Sequence, residues 1–267
     1  MTNTTGTGKV SASKSTSSSS SGYQKRLFPV DILTEYPNNQ GSADLQLIIN
    51  GRDGRDYAVK KPSDGRGRVP ASELLCYELA YRVTIPTPNY AYINLSNGDT
   101  GFGSIWEGGV MKISHITQVM QILQYHIKVN NIRTFLSRLY AFDIFVNNDD
   151  RHWGNYLWRQ SFDNSFIALA FDFSRACFET GHAGFEAFLP DCNTQKSFTL
   201  INLTMNYDRT EAINCLDMLS SISSEEIEDI LNNMPSSWMT VKEKRNYIEW
   251  WASSARIERI ENIKRKI

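Results

Sequence analysis

At 267 residues, 41% hydrophobic and 12% aromatic, the chain carries enough apolar side chains for a sizeable core and is not a disordered protein. Its net charge of −1 leaves no electrostatic footprint for nucleic acid, and no apolar run approaches the ~20 residues needed to span a bilayer. Neither nucleic acid nor a membrane is therefore expected as a partner.

The four cysteines, Cys76, Cys177, Cys192 and Cys215, are scattered without a C-x-x-C pair. That pattern argues against a zinc site or a disulfide framework and for reduced core thiols in a cytoplasmic protein. The N-terminus has no apolar stretch of the signal-peptide kind. Residues 2–22 are Ser, Thr, Gly and little else. Such a tail buries nothing and is expected to be disordered.

Short apolar runs begin near Phe28. Residues 45–49 read as a strand, Gly51 to Gly54 as a turn, and Asp56 to Lys60 as the return strand of a hairpin. Residues 62–70 form a Gly/Pro/charged loop. Ser72 is then expected to cap a helix carrying Leu74, Leu75, Leu79 and Ala80. Ile85-Pro86-Thr87-Pro88 breaks that helix, because each proline disfavours a helical predecessor. Residues 90–94 and 102–106 read as strands, and Gly108-Gly109 as a flexible joint. Strand, strand, helix, strand, strand makes a small mixed lobe over residues 23–108.

Beyond Gly109 the chain turns mostly helical, a second lobe over residues 109–267. Ile132, Phe135, Leu136, Leu139, Tyr140, Ile144 and Phe145 recur at helical spacing. This helix leads into Asn148-Asp149-Asp150-Arg151-His152-Trp153-Gly154-Asn155. Residues 156–158 and 166–171 flank a polar turn and read as a hairpin ending at Asp172. From Asp208 the chain is helices. Ser223-x-x-Glu226 is a capping-box signature, and Pro235 ends that helix.

A carboxylate, an Asn five positions on and an Asp beyond a hairpin are what phosphoryl transfer with Mg²⁺ requires. Asp149 and Asp150 are adjacent, so only one can face the same site as Asn155, and the spacing selects Asp150. It is expected to orient or accept the proton of the attacking hydroxyl. Asn155 and Asp172 offer hard oxygens to the metal. Arg151 and His152 are expected to brace the loop. Taken alone, this string also fits a solvated turn after a helix.

Lys60, alternating with Ala58 on its strand, can point into a cleft and meet phosphates as a point charge. Glu73, at the start of the next helix, is expected to pair with it. The segment Asn38-Asn39-Gln40-Gly41-Ser42 could cover phosphates with its N–H groups or be an ordinary loop. Backbone groups at Ile105, Trp106 and Glu107 fall between the lobes and could bind adenine, with Trp106 as a wall. The alternative is a Trp buried in interlobe packing.

These residues together resemble the HipA-like kinases, in particular the compact members. The matching pieces are Val59-Lys60-x-Pro62, the segment from Glu73 to Ala80, Ile85-Pro86-Thr87-Pro88, Phe102-Gly103-Ser104, Asp143, Asn148-x-Asp150-Arg151-His152-x-x-Asn155 and Phe171-Asp172. The resemblance implies a two-lobed α+β kinase-like fold, ATP and Mg²⁺, with Lys60 on phosphates, Asp150 as base, and Asn155 and Asp172 on metal. Ser42 corresponds to the region where longer HipA toxins can autophosphorylate. The antitoxin and DNA association of those toxins is not carried over. No A-P-E-like end of an activation segment is present. The expected activity is phosphate transfer to a Ser or Thr hydroxyl of a protein substrate. A nucleotide-binding pseudokinase and a small-molecule kinase or nucleotidyl transferase are the alternatives. Substrate choice is expected to reside in surface loops such as residues 179–196.

Overall fold

The computed structural model describes residues 1, 29–37, 47–111, 113 and 115–267. The tail at residues 2–22 and the segment 38–42, with Ser42, lie outside the described residues. The architecture is mixed α+β, with a β-rich N-terminal region followed by a helical one.

Strands β1 (Val30–Pro37), β2 (Leu47–Gly51) and β3 (Asp56–Lys60) come first among the described residues. Helix α1 (Val69–Arg82) follows, then β4 (Tyr90–Asn94) and β5 (Thr100–Ile105). The five strands close into a barrel in the order β1-β2-β3-β5-β4, sealed by a short parallel pairing of β1 with β4. Ile49, Tyr57, Val59, Ala91 and Ile93 alternate inward on their strands and, with Leu95 just past β4, fill it. The barrel tolerates no side chain at Gly103, where a Cβ would lie 2.6 Å from Ile93. Strand β1 was not expected from the sequence. Its residues Leu33 and Tyr36 are exposed, so the alternation that marks a half-buried strand is weak.

Ser72 does not cap α1. The helix begins at Val69 with Pro70 in its first turn, where proline's missing N–H costs nothing. The loop therefore ends two residues earlier than expected, and Ser72 and Glu73 lie inside the helix. Arg68 stands at the N-cap position with no side-chain cap of its own. Instead the Glu179 carboxylate, far along the chain, accepts the N–H groups of Arg66 at 2.8 Å and Arg68 at 2.6 Å. Gly65 (φ +57°) makes this approach possible, because a Cβ there would lie 2.7 Å from Glu179 Oε2.

The remaining elements are β6 (Val110–Met111), α2 (Ile116–Leu123), α3 (Ile132–Phe145), β7 (Tyr156–Gln160), β8 (Phe166–Ala170) and the helices α4 (Asn193–Leu203), α5 (Arg209–Ser221), α6 (Ser224–Asn232), α7 (Val241–Ala252) and α8 (Ser254–Lys266). Strands β6, β7 and β8 form a second small sheet. The expected capping box of α6 is present, with Ser223 and Glu226 exchanging hydrogen bonds. The larger of two buried clusters draws on residues from both regions. Leu74, Leu75 and Leu79 of α1, with Phe102 of β5, belong to the same buried cluster as Phe142, Leu216 and Trp251.

Candidate active site

Helix α3 delivers the central loop, and its ending explains the loop's direction. Asn147 adopts the left-handed conformation (φ 56°) just past the helix. The Asn147 N–H donates to the Ile144 carbonyl and the Asn148 N–H to the Asp143 carbonyl. This is a Schellman ending, which satisfies the orphan carbonyls and turns the chain sharply. The Asn148 side chain then does two things. Its Nδ2 donates to Asp143 Oδ1 at 2.8 Å, and its Oδ1 accepts the Asp150 N–H at 3.2 Å.

Arg151 is the brace of the site. Its guanidinium is buried and pairs bidentately with Asp143, Nε to Oδ2 at 2.9 Å and Nη2 to Oδ1 at 3.1 Å. Nη1 reaches the carbonyls of Asn155 (3.0 Å) and Phe171 (2.5 Å). The planar fork thus ties the loop's start, its end and the far side of the hairpin together, which lysine's point charge cannot do. It also lies 4.6 Å from the Phe173 ring centroid. His152 is exposed and its Nδ1 accepts the Gly154 N–H at 3.1 Å. It caps the short 3-10 turn Trp153–Asn155, a bracing role like that of Arg151.

The two adjacent aspartates have different partners. Asp149 pairs bidentately with Arg175, both contacts at 3.0 Å. Asp150 is half-buried; its carbonyl accepts Asn155 Nδ2 at 3.0 Å and its Oδ1 accepts Asn193 Nδ2 at 2.5 Å. With Nδ2 spent on the Asp150 carbonyl, Oδ1 is the atom Asn155 can offer to a cation.

The hairpin closes the gap to Asp172. Tyr156 pairs with Ala170 at its open end, so Asn155 and Phe171 fall side by side. The Phe171 N–H donates to the Asn155 carbonyl at 3.4 Å, and the Ala170 N–H to the Pro86 carbonyl at 2.8 Å. Asp172 then takes a left-handed conformation (φ 58°), and the hydroxyl of Ser174 donates to its Oδ1 at 2.6 Å. Lys60 Nζ meets both carboxylate oxygens of Asp172 at 3.3 Å. Burial pushes the Asp172 carboxyl up, but the Lys60 charge and the Ser174 hydrogen bonds outweigh it and hold it below the usual carboxylate range.

Glu73 lies beside this pair. Lys60 meets Asp172, and Glu73 Oε1 accepts the N–H of Phe173 at 3.0 Å. Burial, reinforced by the nearby Asp172 charge, pushes the Glu73 carboxyl up to about 8, against the opposing pull of Lys60. Helix α1 is thereby fixed to the turn after Asp172.

At the joint between the regions, Trp106 is 44% exposed, which removes the buried-packing alternative. The N–H groups of Ile105 and Trp106 are committed to the carbonyls of Asn89 and Asp56, both at 2.8 Å. These two donors are thus spent within the barrel rather than offered to a base. Glu107 Oε2 accepts Arg159 Nη1 at 3.3 Å and ties the joint to β7.

Lys60, Glu73, Asp150, Arg151, Asn155 and Asp172 therefore fall into one hydrogen-bonded neighbourhood, with His152 on its exposed edge. Asn193, Ser174 and Thr194 join them without having been expected. No local motif marks these three, since each reaches the site through tertiary contact or an ordinary polar turn.

A family model described as HipA-like kinase matches residues 37–264, so the chain belongs to that family. Among curated proteins nothing matches. Among solved structures, the fold is similar to that of the Helicobacter pylori proinflammatory kinase CtkA, at 12% identity and a TM-score of 0.54, covering 88% of this chain and 99% of that one. It is also similar to Shewanella oneidensis HipA, solved in a toxin–antitoxin complex with HipB and operator DNA. There the identity is 11% and the TM-score 0.50, covering 86% of this chain and 62% of that one.

Proposed function

We propose that this HipA-like kinase transfers the γ-phosphoryl group of Mg-ATP to a Ser or Thr hydroxyl of a protein, in a cytoplasm. The observation that carries this reading is the ion pair of Lys60 with Asp172, 112 positions apart, beside the Asp150–Asn155 loop. A solvated turn has no reason to gather a strand lysine from the barrel and an aspartate from beyond a hairpin.

The donor set fits a magnesium–nucleotide pair. Among the described residues no three His, Cys, Asp or Glu side chains gather into a metal cage. Mg²⁺ needs none, because it is held by one or two protein oxygens while phosphates and water complete its octahedron. The Asp172 carboxylate and Asn155 Oδ1 are oxygens of that kind. When bound, Mg-ATP supplies the electrophilic phosphorus and a cation that offsets charge on the transferred group. Lys60, now on Asp172, is the point charge for phosphate oxygens. Asp150 orients the acceptor hydroxyl and takes its proton. Arg151 and Asp143 keep the loop in shape and touch no reacting atom. Ser42 and the serines of residues 2–22 are acceptors that the chain itself could offer.

The test is incubation of the protein with Mg²⁺ and labelled ATP in a cell lysate. The expected result is γ-label on Ser or Thr of protein, lost with Asp150→Ala while the fold is retained. Transfer of α-label instead would make the protein a nucleotidyl transferase and refute the proposal, as would nucleotide binding without turnover.

A further inference from the structure

We propose that Asn193 is the positioning residue of this site: by holding Oδ1 of Asp150 it leaves Oδ2 as the atom that meets the acceptor hydroxyl. The inference deepens the proposed function and rests on Asp150 being the general base.

The first support is the contact itself. Asn193 opens α4, and its Nδ2 donates to Asp150 Oδ1 at 2.5 Å across 43 positions of sequence. The chemistry of the donor matters. A cationic partner would neutralise a carboxylate and weaken it as a base, which is the situation of Asp149 under Arg175. A neutral amide N–H fixes the rotamer and leaves the charge in place.

The second support is the mooring of α4. Thr194 and Ser197 are buried. The Thr194 hydroxyl donates to the Asn148 carbonyl at 2.5 Å and accepts the Arg151 N–H at 3.0 Å. The Ser197 hydroxyl donates to the Arg151 carbonyl at 2.7 Å. The first turn of α4 is thus tied to the catalytic loop on both sides of Asp150. An amide carried on that turn is held rigidly against the carboxylate, as a positioning group must be.

The third support is that α4 does not use the Asn193 side chain for its own start. The residue capping the helix is Cys192, whose Sγ accepts the Gln195 N–H at 3.4 Å. Asn193 is the first helical residue, and its amide is spent on Asp150.

Asn193→Leu separates a positioning role from a structural one. It is close to isosteric, removes the N–H donor, brings no charge against Asp150 and has a higher helix propensity than Asn. A role in helix stability predicts that this variant folds as well as the parent and works as well. Positioning predicts that kcat for ATP turnover falls ~10²-fold, with KM for ATP and the melting temperature close to the parent's. Asn193→Ala is expected to lose a similar factor. The readout is release of ADP with γ-label counted in protein and in free phosphate, so that transfer to any acceptor is registered. Parent-like kcat in either variant overturns the proposal, as does a kcat loss that tracks a fall in melting temperature. An inert parent protein overturns the proposed function and this inference with it, and that outcome is read on the parent alone.

Discussion

Asp149 and Asp150 are chemically identical neighbours with different partners, so substituting each in turn is informative. Asp150→Ala should lower phosphate transfer by ~10²–10⁴-fold, the usual range for loss of a general base, with an unchanged melting temperature. Asp149→Ala removes only an ion pair to the exposed Arg175 and should leave transfer within a few-fold of the parent. Steady-state kinetics of the two variants side by side decides the matter. Arg151 works through stability instead. Arg151→Met strands the fully buried Asp143 carboxylate, and breaking such a pair costs about 3–5 kcal/mol, readable in urea denaturation. The Asp150–Asn155 spacing was legible because both residues lie in one short loop. Asn193 was not, because a contact spanning 43 positions leaves no trace in local pattern.

At the scale of elements, α1 is held from outside rather than by its own sequence. Glu179 receives two N–H groups at its start, Ser72 accepts the Phe178 N–H, Glu73 accepts that of Phe173, and Arg82 pairs with Glu226 of α6. This explains the misplaced helix start. Ser72 has the chemistry of a cap, but Pro70 belongs to the first turn and the capping carboxylate comes from residue 179. Glu179→Ala leaves the Arg66 and Arg68 N–H groups without their acceptor, so we expect a loss of about 1–3 kcal/mol and faster amide exchange in the first turn of α1. The segment that carries Glu179 continues to His182, whose ring packs 4.4 Å from the Trp250 ring centroid and 4.9 Å from that of Tyr247. Burial, aided by the Arg259 charge, depresses the imidazole to about 4. An unfolded histidine titrates near ~6.5. Its neutral packing therefore stabilises the protein above that pH, and the contribution is lost progressively as pH falls to about 4. His182→Gln should flatten this part of the stability profile in denaturant melts taken across that window.

At the scale of the whole molecule, two regions share one core. The barrel holds a small cluster of its own, whereas α1 and Phe102 are packed with the helices of the second region. Native-state hydrogen exchange should therefore find β1 and β2 opening well before α1 and α3, and should find α1 opening together with α3. The two-lobed α+β class was legible because the hydrophobic period changes from strand-like to helix-like along the chain, and because hairpins and breakers are local. The shared core was not, since it is made by faces that meet only in three dimensions. Strand β1 escaped notice for a related reason, its pairing with β4 closing a barrel that no single segment announces.

We propose Asn155 and Asp172 as one half of a magnesium–nucleotide site and Lys60 as part of the other. The most direct measurement is a crystal structure with Mn²⁺ in place of Mg²⁺ and a non-hydrolysable ATP analogue, read by the anomalous signal of the metal. We expect a metal peak within ligand distance of both Asn155 Oδ1 and the Asp172 carboxylate, with Lys60 released from Asp172 onto a phosphate oxygen. A nucleotide bound elsewhere, or a metal that touches neither residue, would contradict it.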